Sequence, residues 1–318
     1  LKGTHGYEIS PGASLALHTF TNRNTPLVSE WIKLPEHTAL QDNQSIANKI
    51  KTVERKNLEF FTITTEDNVT MDGWIITPEN FDSSKKYPVL LYVYGEPGNT
   101  TVEDKFATGG NRLFDGDLSK SGYFYVSFNN RGTPTLKGSA WRKAIYRDIG
   151  GINIRDQAMA MKKLLQQRPY LDTARVASWG WSGGGSSTLN LLFQYPDIFK
   201  TGIAVAAVAN QLTYDNIYQE RYMGPPQQTK ADYIKGSPVT YAKNLRGNLL
   251  YIHGTGDDNV HYQNAEMLLN ELIKYNKQFQ FMAYPNRTHG ISEGEGTTKH
   301  LRTLYTEYLL KYCPPGGR

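Results

Sequence analysis

A single cysteine, Cys313, is all the thiol this 318-residue chain contains, so no internal disulfide framework holds it together. Its place beside Pro314-Pro315-Gly316-Gly317 also makes it a poor candidate for a nucleophile. No apolar run approaches the ~18 residues a membrane-spanning helix needs, so no membrane span is expected. The first residues, Leu1-Lys2-Gly3-Thr4, have no initiator Met and none of the regions of a signal peptide, and the chain is expected to begin inside a longer protein. There is no His-Glu-x-x-His string and no paired cysteine, so neither a metal site nor a cofactor is expected. The net charge of +5 is modest, and no Lys/Arg cluster alternates with aromatics, so nucleic acid is not an expected partner.

What is present falls into two rhythms. Over the first 60 or so residues, short β-prone stretches (Gly6 to Ile9, Leu15 to Thr21, Val28 to Leu34) alternate with turn-rich joints such as Ser10-Pro11-Gly12. So few strands are marginal alone, and they either pack on the rest of the chain or form the end of a larger β assembly. Ser45 to Lys56 reads as a short helix leading into a linker. Two alternating segments, Phe60 to Thr64 and Met71 to Thr77, then suggest an antiparallel hairpin. Beyond it, continuous apolar runs at Val89 to Tyr94, Tyr123 to Phe128, Arg175 to Trp179, Thr201 to Val208, Leu249 to His253 and Phe279 to Tyr284 predict strands buried on both faces. Helix-period stretches lie among them: Asn153 to Gln167, Ser186 to Tyr195, Tyr262 to Tyr275 and Thr298 to Lys311. The expected class is α/β, a mostly parallel sheet with helices on both faces and chemistry in the loops beyond the strands' carboxyl ends.

The chemistry centres on Gly180-Trp181-Ser182-Gly183-Gly184. Gly-x-Ser-x-Gly alone is a weak signal, but here a predicted strand precedes it and a predicted helix follows, the context a nucleophile elbow requires. The two partners of a hydrolytic serine should follow in the order acid, then histidine. After the strand Leu249 to His253 comes Gly254-Thr255-Gly256-Asp257-Asp258-Asn259, and after Phe279 to Tyr284 comes Pro285-Asn286-Arg287-Thr288-His289-Gly290. His289 would take the serine's proton while Asp257 fixes its tautomer. Asp257 is preferred to Asp258 because it comes first after Gly256, and an Asx-turn or helix cap is the plainer reading of either. His253, His261 and His300 are weaker bases on placement, and His5, His18 and His37 precede the serine. The oxyanion needs two donors: the N–H of Gly183, and a group from the loop Tyr94-Gly95-Glu96-Pro97-Gly98, where Tyr94 can present its phenol.

At these residues the chain resembles the prolyl oligopeptidase family of serine peptidases, and within it the dipeptidyl peptidase IV branch. The resemblance rests on Val93-Tyr94-Gly95-Glu96-Pro97, Gly180-Trp181-Ser182, Tyr214-Asp215-Asn216-Ile217-Tyr218 with Glu220-Arg221-Tyr222-Met223-Gly224, and His253 through His261. It implies an α/β-hydrolase fold over 51–318, preceded over 1–50 by the terminal strands of an incomplete β-propeller and a linker. It implies Ser182, Asp257 and His289 as triad, Tyr94 and Gly183 as oxyanion donors, Tyr214, Tyr218, Val208 and Val260 as walls of a small pocket for proline, and Asn259 as a contact to a substrate carbonyl. An ordinary helical pair is the competing reading of Tyr214 and Tyr218.

The resemblance further implies cleavage of peptides after proline or alanine through an acyl-enzyme, with release of N-terminal dipeptides by the longer parent. Another acyl hydrolase and a non-catalytic interaction module are the rival readings. A periplasmic or extracellular location is implied over a cytoplasmic one. A homodimer is implied too: Thr298 to Lys311, with Leu301, Leu304, Tyr305, Tyr308 and Leu309, offers either a dimer face or a surface buried within the monomer. Two departures stand out. The propeller's paired glutamates, which grip the substrate amine in dipeptidyl peptidases, lie outside this sequence, and close relatives place Tyr where this chain has Gly183.

Overall fold

A computed structural model of the chain describes residues 2–50 and 57–318. Two compact units emerge, one made of the described residues up to Asn57 together with Val102–Gly110, the other of Leu58–Thr101 and Asn111–Arg318.

The first unit is an antiparallel four-stranded sheet in sequential order: β1 (Thr4–Ile9), β2 (Leu15–Asn22), β3 (Thr25–Lys33) and β4 (Thr38–Asp42). Helix α1 (Gln44–Ile50) follows, so the helix expected from Ser45 begins one residue earlier, and its expected remainder to Lys56 lies outside the described residues. Ala16, Phe20, Val28, Ile32 and Ala47 supply the apolar interior. The register sets His18 opposite Glu30, whose Oε1 also contacts His37. β4 was not foreseen, because Thr-Ala-Leu-Gln-Asp has no apolar alternation and is exposed along its length.

The second unit follows the alternation of the sequence. The hairpin of β5 (Leu58–Thr64) and β6 (Thr70–Ile76) leads into β7 (Tyr87–Tyr92) and β8 (Phe124–Asn129). Helices α2 (Gly138–Lys143) and α3 (Ile152–Gln167) then precede β9 (Leu171–Trp181) and α4 (Gly183–Gln194). β10 (Thr201–Val205), α5 (Asn216–Met223), α6 (Pro226–Gly236), β11 (Asn248–Gly254), α7 (Gln263–Lys274), β12 (Gln280–Tyr284) and α8 (Thr297–Tyr312) complete it. The sheet order is β12-β11-β10-β9-β7-β8-β6-β5, parallel from β12 to β8 and antiparallel at the β8, β6, β5 end.

β7, β8 and β10 are buried on nearly every side chain, as continuous apolar runs predict for strands covered on both faces. β12 departs from that expectation. It pairs only with β11, at the sheet edge, and most of its side chains are partly accessible. On α8, Leu301, Tyr305, Tyr308 and Leu309 are buried within the chain, so these side chains are not a free dimer face. Among the described residues no helix is long and apolar enough to cross a membrane.

Candidate active site

β9 ends at Trp181 and α4 starts at Gly183, leaving Ser182 alone in the turn with φ 59° and ψ −122°. A side chain in that region is strained by about 1–3 kcal/mol and persists only where its surroundings fix it. They do: the Ser182 N–H donates to Val205 O at 2.8 Å on β10, and Ser182 O accepts from Ser186 N at 3.0 Å in α4. Backbone packing explains the glycines. A Cβ on Gly180 would lie 2.3 Å from Gly184 O, one on Gly184 2.3 Å from Val93 O, and one on Gly185 2.6 Å from Val205 O. The helix therefore starts at Gly183, three residues before the sequence suggested. Three successive glycines read as a breaker, yet here they let the first turn press against two strands.

Asp257 lies just beyond β11, buried and heavily hydrogen-bonded. Its Oδ1 accepts from the N–H groups of Asn259 (3.0 Å) and Val260 (2.8 Å), and Oδ2 accepts from Nδ1 of His289 at 2.8 Å. Nε2 of His253 lies 3.3 Å from the same Oδ2, while donating to Val260 O at 2.8 Å. Burial pushes the Asp257 carboxyl up, but the hydrogen bonds from His253, His289 and Asn259 outweigh it and hold the group below the usual carboxylate range. Nδ1 of His289 thus donates to the Asp257 carboxylate, which fixes the orientation of the ring. Asp258 is exposed, and among the described residues no such set of donors surrounds it.

The remaining histidines part company with His289. His253 is fully buried with both ring nitrogens engaged, Nδ1 at 3.2 Å from the Tyr251 hydroxyl, so it supports the aspartate. His300 is tied to the Tyr284 hydroxyl at 2.7 Å. Cys313 is buried, and burial pushes its thiol up to about 12, which rules against a thiolate nucleophile. A direct link joins the turn at Ser182 to the His289 loop: Nε1 of Trp181 donates to His289 O at 2.9 Å.

Tyr94 follows β7 and is half-buried, its backbone O accepting from Ser187 Oγ of α4 at 2.8 Å. Burial first, then the neighbouring Glu96 charge, raises its phenol well above 10, so it remains a hydrogen-bond donor. The Gly183 N–H belongs to the first turn of α4, where helix geometry leaves donors without intrahelical partners.

Tyr214 lies before α5 in extended backbone, so the helical-pair reading of Tyr214 and Tyr218 does not hold. Their rings meet edge to face at 5.6 Å, and Tyr218 meets Tyr222 at 4.9 Å. The Tyr214 hydroxyl donates to Oδ1 of Asn259 at 2.8 Å, beside an open cleft of about 670 Å³ that Asp258, His261 and His289 also line. Val208, beyond β10, and Val260, beside Asp257, are both buried.

One residue escaped sequence reasoning. Glu96 is buried, and its Oε2 accepts from the Tyr218 hydroxyl at 3.0 Å. An acidic residue in a Pro- and Gly-containing loop reads as solvated; the available signals were its place two residues after Tyr94 and its inclusion in the segment Val93-Tyr94-Gly95-Glu96-Pro97 that carries the resemblance.

A sequence profile of the prolyl oligopeptidase family matches residues 117–313, more than half of the chain. Among known proteins, the chain is 35% identical over 283 residues to prolyl endopeptidase FAP of Mus musculus, covering 87% of this chain and 36% of that protein. It is 37% identical over 261 residues to a Trichophyton verrucosum protein named Probable dipeptidyl-aminopeptidase B, covering 79% and 28%. The crystal structure of Porphyromonas gingivalis dipeptidyl peptidase 4 superposes with a TM-score of 0.88 at 32% identity, covering 98% of this chain and 44% of that one. The chain thus spans about a third of the length of the curated relatives it matches.

Proposed function

The chain belongs to the prolyl oligopeptidase family, and we propose that it is the catalytic part of a serine peptidase that cleaves after proline or alanine and, in the full-length protein, releases N-terminal dipeptides. The observation that carries this reading is Ser182 held at positive φ at the start of α4, with Asp257 and His289 joined at 2.8 Å in the loops beyond β11 and β12. In it, Nε2 of His289 takes the Ser182 proton as Oγ attacks the carbonyl carbon. The oxyanion receives hydrogen bonds from the Gly183 N–H and the Tyr94 phenol, and the imidazolium, steadied by Asp257, returns the proton to the leaving amine. Water then attacks the acyl-enzyme by the same route in reverse. Tyr214, Tyr218, Val208 and Val260 enclose the residue before the scissile bond, a compact apolar ring being matched to aromatic and branched walls. Asn259, oriented by Tyr214, holds a substrate carbonyl.

We assign residues 1–50 to the terminal strands and linker of a β-propeller, and 51–318 to the hydrolase domain. A homodimer of the full-length protein belongs to the same reading, on a surface other than the buried side of α8.

The test uses the full-length protein with Gly-Pro and Ala-Pro anilides, their N-blocked counterparts and a short-chain nitrophenyl ester. Cleavage of the free-amine anilides is expected, lowered by about 10⁴-fold or more in Ser182→Ala. Ester cleavage without any prolyl anilide cleavage sinks the peptidase reading.

A further inference from the structure

Three buried carboxylates in the second unit are held in very different ways. Asp156 receives the guanidinium of Arg131 at 2.6 and 2.9 Å together with the Arg131 N–H at 3.1 Å. Asp257 receives two backbone N–H groups and an imidazole. Glu96 has one donor among the described residues, the Tyr218 hydroxyl, and no cation acts on it. Burial of a carboxyl with a single neutral partner costs stability and is not how a purely structural carboxylate is kept.

Its position answers what it does. A Cβ on Gly183 would lie 2.8 Å from both Cδ and Oε2 of Glu96, and 3.2 Å from its Cγ. Gly183 has ordinary helical backbone, and the three atoms nearest to a Cβ built there all belong to Glu96. The two positions share one volume, beside Ser182 and next to the Tyr218 hydroxyl.

We propose that Glu96 is the specificity-determining residue of this pocket: its carboxyl fills the wall that a side chain at position 183 would supply, and favours a substrate residue that donates a hydrogen bond to it, 4-hydroxyproline, over proline. The inference rests on the peptidase reading above. The favour depends on charge. Burial raises the Glu96 carboxyl from its ordinary 4.5 to about 7, the Tyr218 hydrogen bond opposing the rise. Below that value the carboxyl is neutral and tolerates an apolar ring. Above it, an anion facing proline is desolvated without compensation, whereas a ring hydroxyl supplies the missing donor. Among the described residues, the titratable groups on which its charge acts are phenols: Tyr94 from the same loop, and Tyr214 and Tyr218 from the segment around α5. Burial lifts Tyr94, Tyr214 and Tyr218 above 10, Tyr214 to about 12, leaving Glu96 the titrating member of this group near neutrality.

The experiment measures kcat/KM of the full-length protein for Gly-Hyp and Gly-Pro anilides between pH 5.5 and 8.5. Titrations common to both substrates, that of the catalytic histidine included, cancel in the ratio. For wild type the Hyp-to-Pro ratio is expected to rise about tenfold through neutrality, mainly through the KM for proline. In Glu96→Gln, isosteric and uncharged, the ratio is flat; in Glu96→Ala it is flat and lower. Gly183→Ala should lower kcat/KM for both substrates in wild type and much less in the Glu96→Ala background. A flat wild-type ratio, a Glu96→Gln profile that tracks wild type, or an equal Gly183→Ala penalty in both backgrounds overturns the inference alone, provided that wild type cleaves and labels with a fluorophosphonate. A wild-type protein that does neither overturns the peptidase reading and this inference together.

Discussion

The two sheets of this chain bury their residues by opposite means. In the eight-stranded sheet, β7, β8 and β10 bury side chains on both faces, and some interior polar groups find specific partners, as where Gln157 Nε2 donates to Phe128 O and Asn130 Oδ1, while Gln157 Oε1, Ser178 Oγ and Thr188 Oγ1 are buried without one among the described residues. The four-stranded sheet buries a handful of apolar residues and leaves Tyr7, Ile9, Leu27, Trp31 and Leu40 more than half exposed. Its interior is partly polar, a chain of contacts running from His5 through His18 and Glu30 to His37. The contrast teaches where chemistry can be held. Strain at Ser182 needs rigid surroundings, and the sheet that is closed on both faces supplies them.

Charge burial gives the strongest way to sharpen this comparison. Arg131→Ala should destabilise the larger unit by about 3 kcal/mol, because it strands the Asp156 carboxylate, almost wholly buried, in the interior. Denaturant unfolding followed by near-ultraviolet circular dichroism would measure it, and a loss below ~1 kcal/mol would contradict the buried-pair assignment. Next come two truncations at fully buried apolar sites, Leu91→Ala in β7 and Ile32→Ala in β3. Leu91→Ala should cost roughly 3 kcal/mol and lower fluorophosphonate labelling of Ser182 on mild heating. Ile32→Ala should raise hydrogen exchange in residues 2–50 while labelling persists; if it abolishes labelling as readily as Leu91→Ala, the two sheets are not separate in stability.

A smaller effect comes from acid. Hydrogen bonding to His18 chiefly, with burial opposing it, holds the Glu30 carboxyl below its ordinary 4.5. The folded group therefore binds protons less readily than the unfolded one. Its contribution is complete above 4.5 and vanishes as pH falls through the lowered value. Glu30→Gln should remove that part of the acid dependence in exchange of β2 and β3, leaving β7 and β8 unaffected. Smallest of all, Leu136→Ser, at a fully exposed side chain, should shift stability by no more than about 0.5 kcal/mol.

Much of this was legible in the sequence, for reasons that differ by residue. β7, β8, β10 and β11 announce themselves because burial on both faces leaves mostly apolar runs, with few polar residues such as Ser127 in β8. β12 carries the same apolar pattern at an edge, where pairing on one side exposes it, and composition alone does not tell the two apart. α5 was hidden: its start is set by Asp215, whose side chain accepts from Tyr218 N at 2.9 Å, and its short, largely polar sequence has little periodicity. At the candidate site, the order of serine, acid and histidine follows from chain topology and could be seen in advance. The pairing of Glu96 with Gly183 could not, since it depends on two residues 87 positions apart sharing one volume.

The hydrogen bond from Trp181 to the backbone of His289 has an optical consequence. This indole is half-buried, tethered to the His289 loop, and covered by the guanidinium of Arg112 at 4.7 Å from its ring. Its excited state is therefore sensitive to any displacement of that loop. Emission from Trp181, isolated by difference against a Trp181→Phe protein, would report in real time how the turn at Ser182 and the loop of His289 move together when a ligand is added.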